Sequence, residues 1–94
     1  MLKELFLETY ASIPASLDRA QIEQTVTAYL ASYAVNDIAG RARLFADDAV
    51  AEEPVGTKPL AGIAALKAFW QNSLDAGWSV TNRLKRIVIN GNEA

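Results

Sequence analysis

Apolar residues recur at helical spacing in three places along this chain. Leu2, Leu5, Phe6 and Tyr10 share one side of a helix predicted over 2–12, ended by Pro14 and Ser16. This reads as an N-terminal helical extension over 1–15, with the domain proper running over 16–94. Asp18 followed by Gln21 has the pattern of a capping box. It opens a second helix reaching to about Val35, with Ile22, Val26, Tyr29, Leu30 and Tyr33 along one face. Asn36-Asp37 breaks it, and a short helix covers roughly Ile38 to Phe45. The third clear pattern is Ile63, Leu66, Phe69, Trp70 and Leu74, an amphipathic helix over Ile63 to Leu74 that Ala76-Gly77 closes.

Two segments read as strands instead. Ala49 to Glu53 is short and ends at Pro54, which has no N–H to offer a ladder. Alternation puts Ala49, Ala51 and Glu53 on one face and sends Glu52 to solvent. Residues 55–62 read as a loop, and Trp78 to Ile89 as a long strand. Asn90-Gly91 is a hairpin signal with only Asn92-Glu93-Ala94 after it. The sequence is therefore expected to stop inside its domain. The order is thus helix, short helix, acid-rich strand, loop, amphipathic helix and long strand.

Composition narrows the chemistry. The 94 residues make one domain with a modest core. A net charge of −2 argues against nucleic acid as a partner. The one basic run, Arg83-Leu84-Lys85-Arg86, splits across both faces of a strand and reads as a solvated edge. With no cysteine and no histidine, disulfides, thiolate nucleophiles, zinc sites built on those residues and Ser-His-Asp triads are excluded. Carboxylate, tyrosine, lysine and hydroxyl chemistry remains. Asp47, Asp48, Glu52 and Glu53 lack the spacing of a calcium loop, so neither a metal nor an organic cofactor is expected. No apolar run approaches membrane-spanning length, and the acids among the first eight residues do not suit a signal peptide. The expected location is cytoplasmic.

Within these bounds Glu53 is the candidate general base. A carboxylate fixed at a strand end and facing an apolar cavity has its pKa raised toward neutrality by burial. Tyr29 stands 24 residues before it, on a helix. Tyr33, Phe45, Val55, Phe69, Trp70 and Trp78 are the candidate substrate-binding residues, an apolar set suited to a flat ligand. Each also has a plainer reading. An acid beside a proline is commonly just solvated, and a tyrosine on an apolar helix face is commonly a core residue whose hydroxyl is satisfied by a neighbour.

Three stretches carry a resemblance: Leu44-Phe45-Ala46-Asp47-Asp48-Ala49, Glu52-Glu53-Pro54-Val55-Gly56 and Phe69-Trp70-Gln71-Asn72-Ser73-Leu74. From about Gln21 to Ala94 the chain resembles the first half of a ketosteroid isomerase. It thus resembles the wider superfamily similar to nuclear transport factor 2, with its SnoaL-like proteins and polyketide cyclases. The first stretch implies the fold alone. The acid before Pro54, with a tyrosine 24 residues earlier, is closer to the isomerases.

The resemblance implies an α+β fold, a nuclear transport factor 2-like (cystatin-like) cone with helices packed on a curved antiparallel sheet around an apolar pocket, incomplete at the C-terminus and commonly a homodimer. It places Glu53 where the isomerases have their proton-shuttling aspartate, and Tyr29 where they have the tyrosine that hydrogen-bonds the developing enolate oxygen. Ketosteroid isomerases are themselves a well-studied case of this chemistry, so both roles come from the resemblance. Three departures stand out. Glu replaces Asp as base, one methylene longer, and misplacement by an ångström can cost about a hundredfold in rate. Trp70 stands where isomerases often have a supporting tyrosine, and an indole donates but does not accept. The acid that completes the oxyanion hole would lie beyond Ala94. The implied partner is a small apolar carbonyl compound. A second expectation from the same resemblance is a non-catalytic small-ligand-binding or dimerisation domain.

Overall fold

The computed structural model describes residues 17–94, so the helix expected within 1–15 lies outside the described residues. The described part is built on helix α1 (Arg19–Ala34), short helix α2 (Ile38–Ala42), strand β1 (Val50–Ala51), strand β2 (Leu60–Ala61) and helix α3 (Ile63–Asp75).

The ends of α1 are set by local chemistry. The Asp18 carboxylate accepts from the Gln21 N–H at 2.7 Å, and the Gln21 side chain accepts from the Asp18 N–H at 3.1 Å. Two donors left over at the helix start are thereby satisfied. At the other end Asn36 takes a left-handed conformation, φ 52°. The Asp37 N–H then reaches the Ser32 carbonyl at 2.9 Å and the Asn36 N–H the Tyr33 carbonyl at 3.3 Å. These are the paired bonds of a Schellman motif, with Asn in the place usually taken by glycine. Helix α3 ends the same way. Gly77, at φ 85°, donates to Leu74, and Trp78 donates to Ser73.

Asp37 caps α2 by accepting from the Gly40 N–H at 2.8 Å. A Cβ at Gly40 would run into that same carboxylate, so the cap depends on the glycine. Helix α2 stops at Ala42, earlier than the Phe45 expected, and the chain passes through turns to β1.

The sheet is small and antiparallel, pairing Val50 with Ala61 and Ala51 with Leu60. The strand expected over Ala49 to Glu53 is thus shorter than the pattern implied, and Leu60–Ala61, read as loop, supplies its partner. Two further bonds, Gly62 N–H to Ala49 C=O at 2.8 Å and Ile63 N–H to Asp47 C=O at 2.9 Å, tie the start of α3 to the Asp47-Asp48 turn.

The long strand expected over 78–89 is not formed. Among the described residues this stretch pairs with no strand; at its end, Asn90 and Glu93 form an isolated antiparallel bridge across the turn. A strand's backbone groups need a neighbouring strand, whereas a helix satisfies its own. Alternation along 78–89 is not enough without a partner.

The core lies between α1, α2 and α3. Leu66 is fully enclosed, Ile22 and Trp70 are buried, and Val26, Tyr29, Leu30, Tyr33, Phe45, Ile63, Phe69 and Leu74 are half-buried. These are the helix faces that the spacing predicted. Two polar residues, Ser32 and Arg41, are buried with them. Among the described residues no helix is long and apolar enough to cross a membrane.

Candidate active-site cleft

An apolar cleft of about 580 Å³ opens where the ends of α1 and α3 face α2 and the segment after β1. Its walls include Tyr33, Arg41, Glu53, Phe69, Trp70 and Trp78. A cleft of this size takes a small organic ligand.

Glu53 reaches the cleft through strand alternation. Ala49, Ala51 and Glu53 are half-buried while Val50 and Glu52 are exposed, as the period of two requires. Glu52 is not idle in solvent, however. Its carboxylate accepts from the Gly56 N–H at 2.9 Å, and the Thr57 N–H and hydroxyl both donate to the Pro54 carbonyl, at 3.1 and 2.7 Å. One glutamate therefore clamps the loop while its neighbour faces the cleft. The Glu53–Pro54 peptide is cis.

The tyrosines divide differently from the sequence expectation. Tyr33 lines the cleft, but Tyr29 does not. The two hydroxyls are hydrogen-bonded at 3.0 Å, with the rings edge-on at 5.4 Å. Tyr29 also packs edge-on against Phe45 at 5.9 Å, and Phe45 against Trp70 at 5.4 Å. Tyr29 is thus a half-buried residue whose hydroxyl is satisfied by its neighbour one turn on. Its proton is held well above the usual tyrosine range, first by burial, then by the Tyr33 hydrogen bond and charge and by the Glu53 carboxylate, with Arg41 pulling the other way. Either hydroxyl can be the donor; in the arrangement where Tyr29 donates, the Tyr33 proton is left for another acceptor.

Of the remaining candidates, Phe69, Trp70 and Trp78 line the cleft. Phe45 supports the wall from behind through its contacts with Tyr29 and Trp70. Val55 stands outside the lining and is 88% exposed, because the clamped loop turns it away. The Trp70 Nε1–H is buried and has no acceptor among the described residues, and the hydroxyl next to that of Tyr29 belongs to Tyr33. Among the described residues no three carboxylates group to hold a metal ion.

Arg41 is the wall residue that sequence reasoning missed. It is 3% exposed, with its guanidinium 3.5 Å over the Tyr33 ring and 5.0 Å from that of Trp70. Its Nε–H donates to the Ser32 hydroxyl at 2.9 Å, which in turn donates to the Tyr29 carbonyl at 2.6 Å. A signal was present: Arg41 falls three residues after Ile38 and four before Phe45, on the apolar side of that helical stretch.

What the arrangement offers is a carboxylate, a tyrosine and a cation, Glu53, Tyr33 and Arg41, around one apolar space. Such a set can accept a proton from a bound ligand and hydrogen-bond an oxygen on it. Residues 26–94 match the family model of the SnoaL-like domain, a family with the nuclear transport factor 2-like fold that includes isomerases and non-catalytic ligand-binding members. The α+β arrangement is compatible with that fold, and the chain belongs to the SnoaL-like family.

Proposed function

We propose that this chain carries the proton-transfer wall of a steroid delta-isomerase-like enzyme acting on a small apolar ketone. Glu53 removes a proton α to the carbonyl and returns it further along the conjugated system, moving the double bond. A tyrosine hydroxyl donates to the carbonyl oxygen as charge develops there, which is where such donors have most effect. Tyr33 is the cleft-facing donor and Tyr29 its support, which refines the expectation that Tyr29 donates directly. No metal or organic cofactor is needed for this step, and the acting form is proposed to be a homodimer.

The observation that carries the reading is the joint presence of Glu53 and Tyr33 in the lining of one apolar cleft, with the Tyr33 hydroxyl bonded to that of Tyr29 outside the lining. The test is formation of conjugated enone from a β,γ-unsaturated cyclic ketone, followed by ultraviolet absorbance. Glu53→Gln should lower turnover by about a hundredfold or more. Tyr33→Phe should cost about a hundredfold, and Tyr29→Phe less. Normal turnover in Glu53→Gln removes Glu53 from the mechanism.

One observation favours the second reading, a non-catalytic ligand-binding domain: the Tyr29 hydroxyl is already bonded to Tyr33 and lies outside the lining. In that case quenching of Trp70 or Trp78 by the ketone survives Glu53→Gln, and no enone forms in either protein.

A further inference from the structure

Arg41 poses a problem that the isomerase chemistry does not use. A guanidinium does not lose its proton, so burial leaves a charge in the wall of an apolar cleft. Buried charges are ordinarily paired with an opposite charge. Among the described residues the ion pair is Arg19–Glu23 on the surface of α1, and no carboxylate pairs with Arg41. The Ser32 hydroxyl takes its Nε–H, and the Tyr33 and Trp70 rings offer their faces, which offsets part of the cost. Among the described residues the Nη groups have no acceptor of full charge.

Beside this unpaired cation lies an independent unsatisfied donor. Trp70 is 4% exposed, lines the same cleft, and its Nε1–H is buried without a partner among the described residues. A buried donor with no acceptor is costly and rare. A buried cation lies 5.0 Å from the ring that carries the orphan N–H, and both residues belong to one wall, a combination complementary to an anionic oxygen. The nearby walls of Phe69, Leu74 and Trp78 are apolar and suit a hydrocarbon body.

We propose that the cleft binds apolar ligands bearing a carboxylate, seated against the Arg41 guanidinium and the Trp70 indole N–H. The proposal rests on the reading of this cleft as a ligand site, and it narrows the ligand from a neutral ketone to an apolar acid. Glu53 shares the lining and repels a second carboxylate, so the acid group sits toward Arg41 and the hydrocarbon toward Glu53. For turnover, the substrate class is then an unsaturated keto acid.

Calorimetric titration of the chain with cinnamate and with benzylideneacetone tests this, because the second carries a neutral acetyl in place of the carboxylate on the same skeleton. Cinnamate should bind at least about tenfold more tightly. Arg41→Met should remove that preference and leave benzylideneacetone within about twofold, while Arg41→Lys, which keeps charge without the planar fork, retains part of it. Equal affinities in the unaltered chain, no binding of either compound, or a preference that survives Arg41→Met overturns the proposal. Should Arg41→Met fail to fold by circular dichroism, the Trp70 indole N–H resonance decides. A shift with cinnamate and none with benzylideneacetone supports the site, and no shift with cinnamate overturns it. Turnover of a β,γ-unsaturated cyclic ketone by the unaltered chain, measured beside these affinities, separates the two readings. Turnover without an anion preference defeats this proposal alone, and an anion preference without turnover defeats the isomerase reading alone.

Discussion

Between Asp18 and Gly77 the chain marks its own helix ends, whereas between Trp78 and Ile89 its backbone groups join no ladder among the described residues. The first region holds the capping box at Asp18 and Gln21, the Asp37 cap, and two Schellman ends at Asn36 and Gly77. Its apolar faces meet around Leu66 and Trp70. The second region leaves Trp78 and Val88 71% and 66% exposed, with Val80 and Leu84 exposed as well. Both regions have clear hydrophobic patterns. The difference is that a helix closes its hydrogen bonds within a few residues, while a strand depends on a neighbour that its own sequence does not describe. The wall of the cleft carried by helices is therefore built from local instructions, and Trp78 and Val80 border it from a segment that is not.

The largest effect on stability should come from Leu66→Ala, which empties the one fully enclosed large side chain among the described residues. A cost of about 2–5 kcal/mol is expected, a large share of the stability of a small domain, read from urea denaturation midpoints. A cost within the surface range would mean that the three helices do not share this core.

Alkali should act next, and through the same region. The folded chain holds the Tyr29 proton above its ordinary value, so above about pH 10 the folded state keeps a proton that the unfolded state has lost. Stability contributed by the neutral hydroxyl is fully present below that pH and falls as pH rises further. Tyr29→Phe should flatten this alkaline fall in denaturation midpoint. An unchanged slope would detach it from Tyr29.

A smaller loss, about 1 kcal/mol, is expected for Gly77→Ala, since a Cβ disfavours the left-handed φ of 85° that ends α3. A neutral result would show that the helix end relaxes freely, and would blur the boundary between the two regions. The smallest effect belongs to the second region. Val88→Ser should change stability by less than about 0.5 kcal/mol, as exposed substitutions do. A loss of core size there would reveal a partner for residues 78–89 and dissolve the contrast.

The same contrast explains what could be read from the residues alone. The caps at Asp18 and Asn36 and the faces of α1 and α3 are legible because each depends on residues within one or two turns. The pairing of Leu60–Ala61 with Val50–Ala51 was not, since it joins segments across a loop whose Lys58 and Pro59 read as irregular. Glu53 was legible as a cleft-facing acid through simple alternation. The clamp role of Glu52 was not, because it depends on a hydrogen bond made only once the loop has turned. The order of the two tyrosines was hidden for a related reason. Tyr29 and Tyr33 share a helix face at a spacing of one turn, and it is tertiary packing, Phe45 on Tyr29 and Arg41 on Tyr33, that distinguishes them. Arg41 lay on an apolar face in plain view, but a charge there is ordinarily assigned to solvent.

The claim at the centre is that Glu53 takes a proton from carbon in this cleft. Deuterium exchange reads that step with no need for complete turnover. A β,γ-unsaturated cyclic ketone is incubated in D₂O with the unaltered chain and with Glu53→Gln, and label at the α carbon is followed by NMR. The account predicts exchange well above the protein-free rate, lowered by about a hundredfold or more in Glu53→Gln while the circular dichroism spectrum is unchanged. Equal exchange rates in the two folded proteins would contradict it.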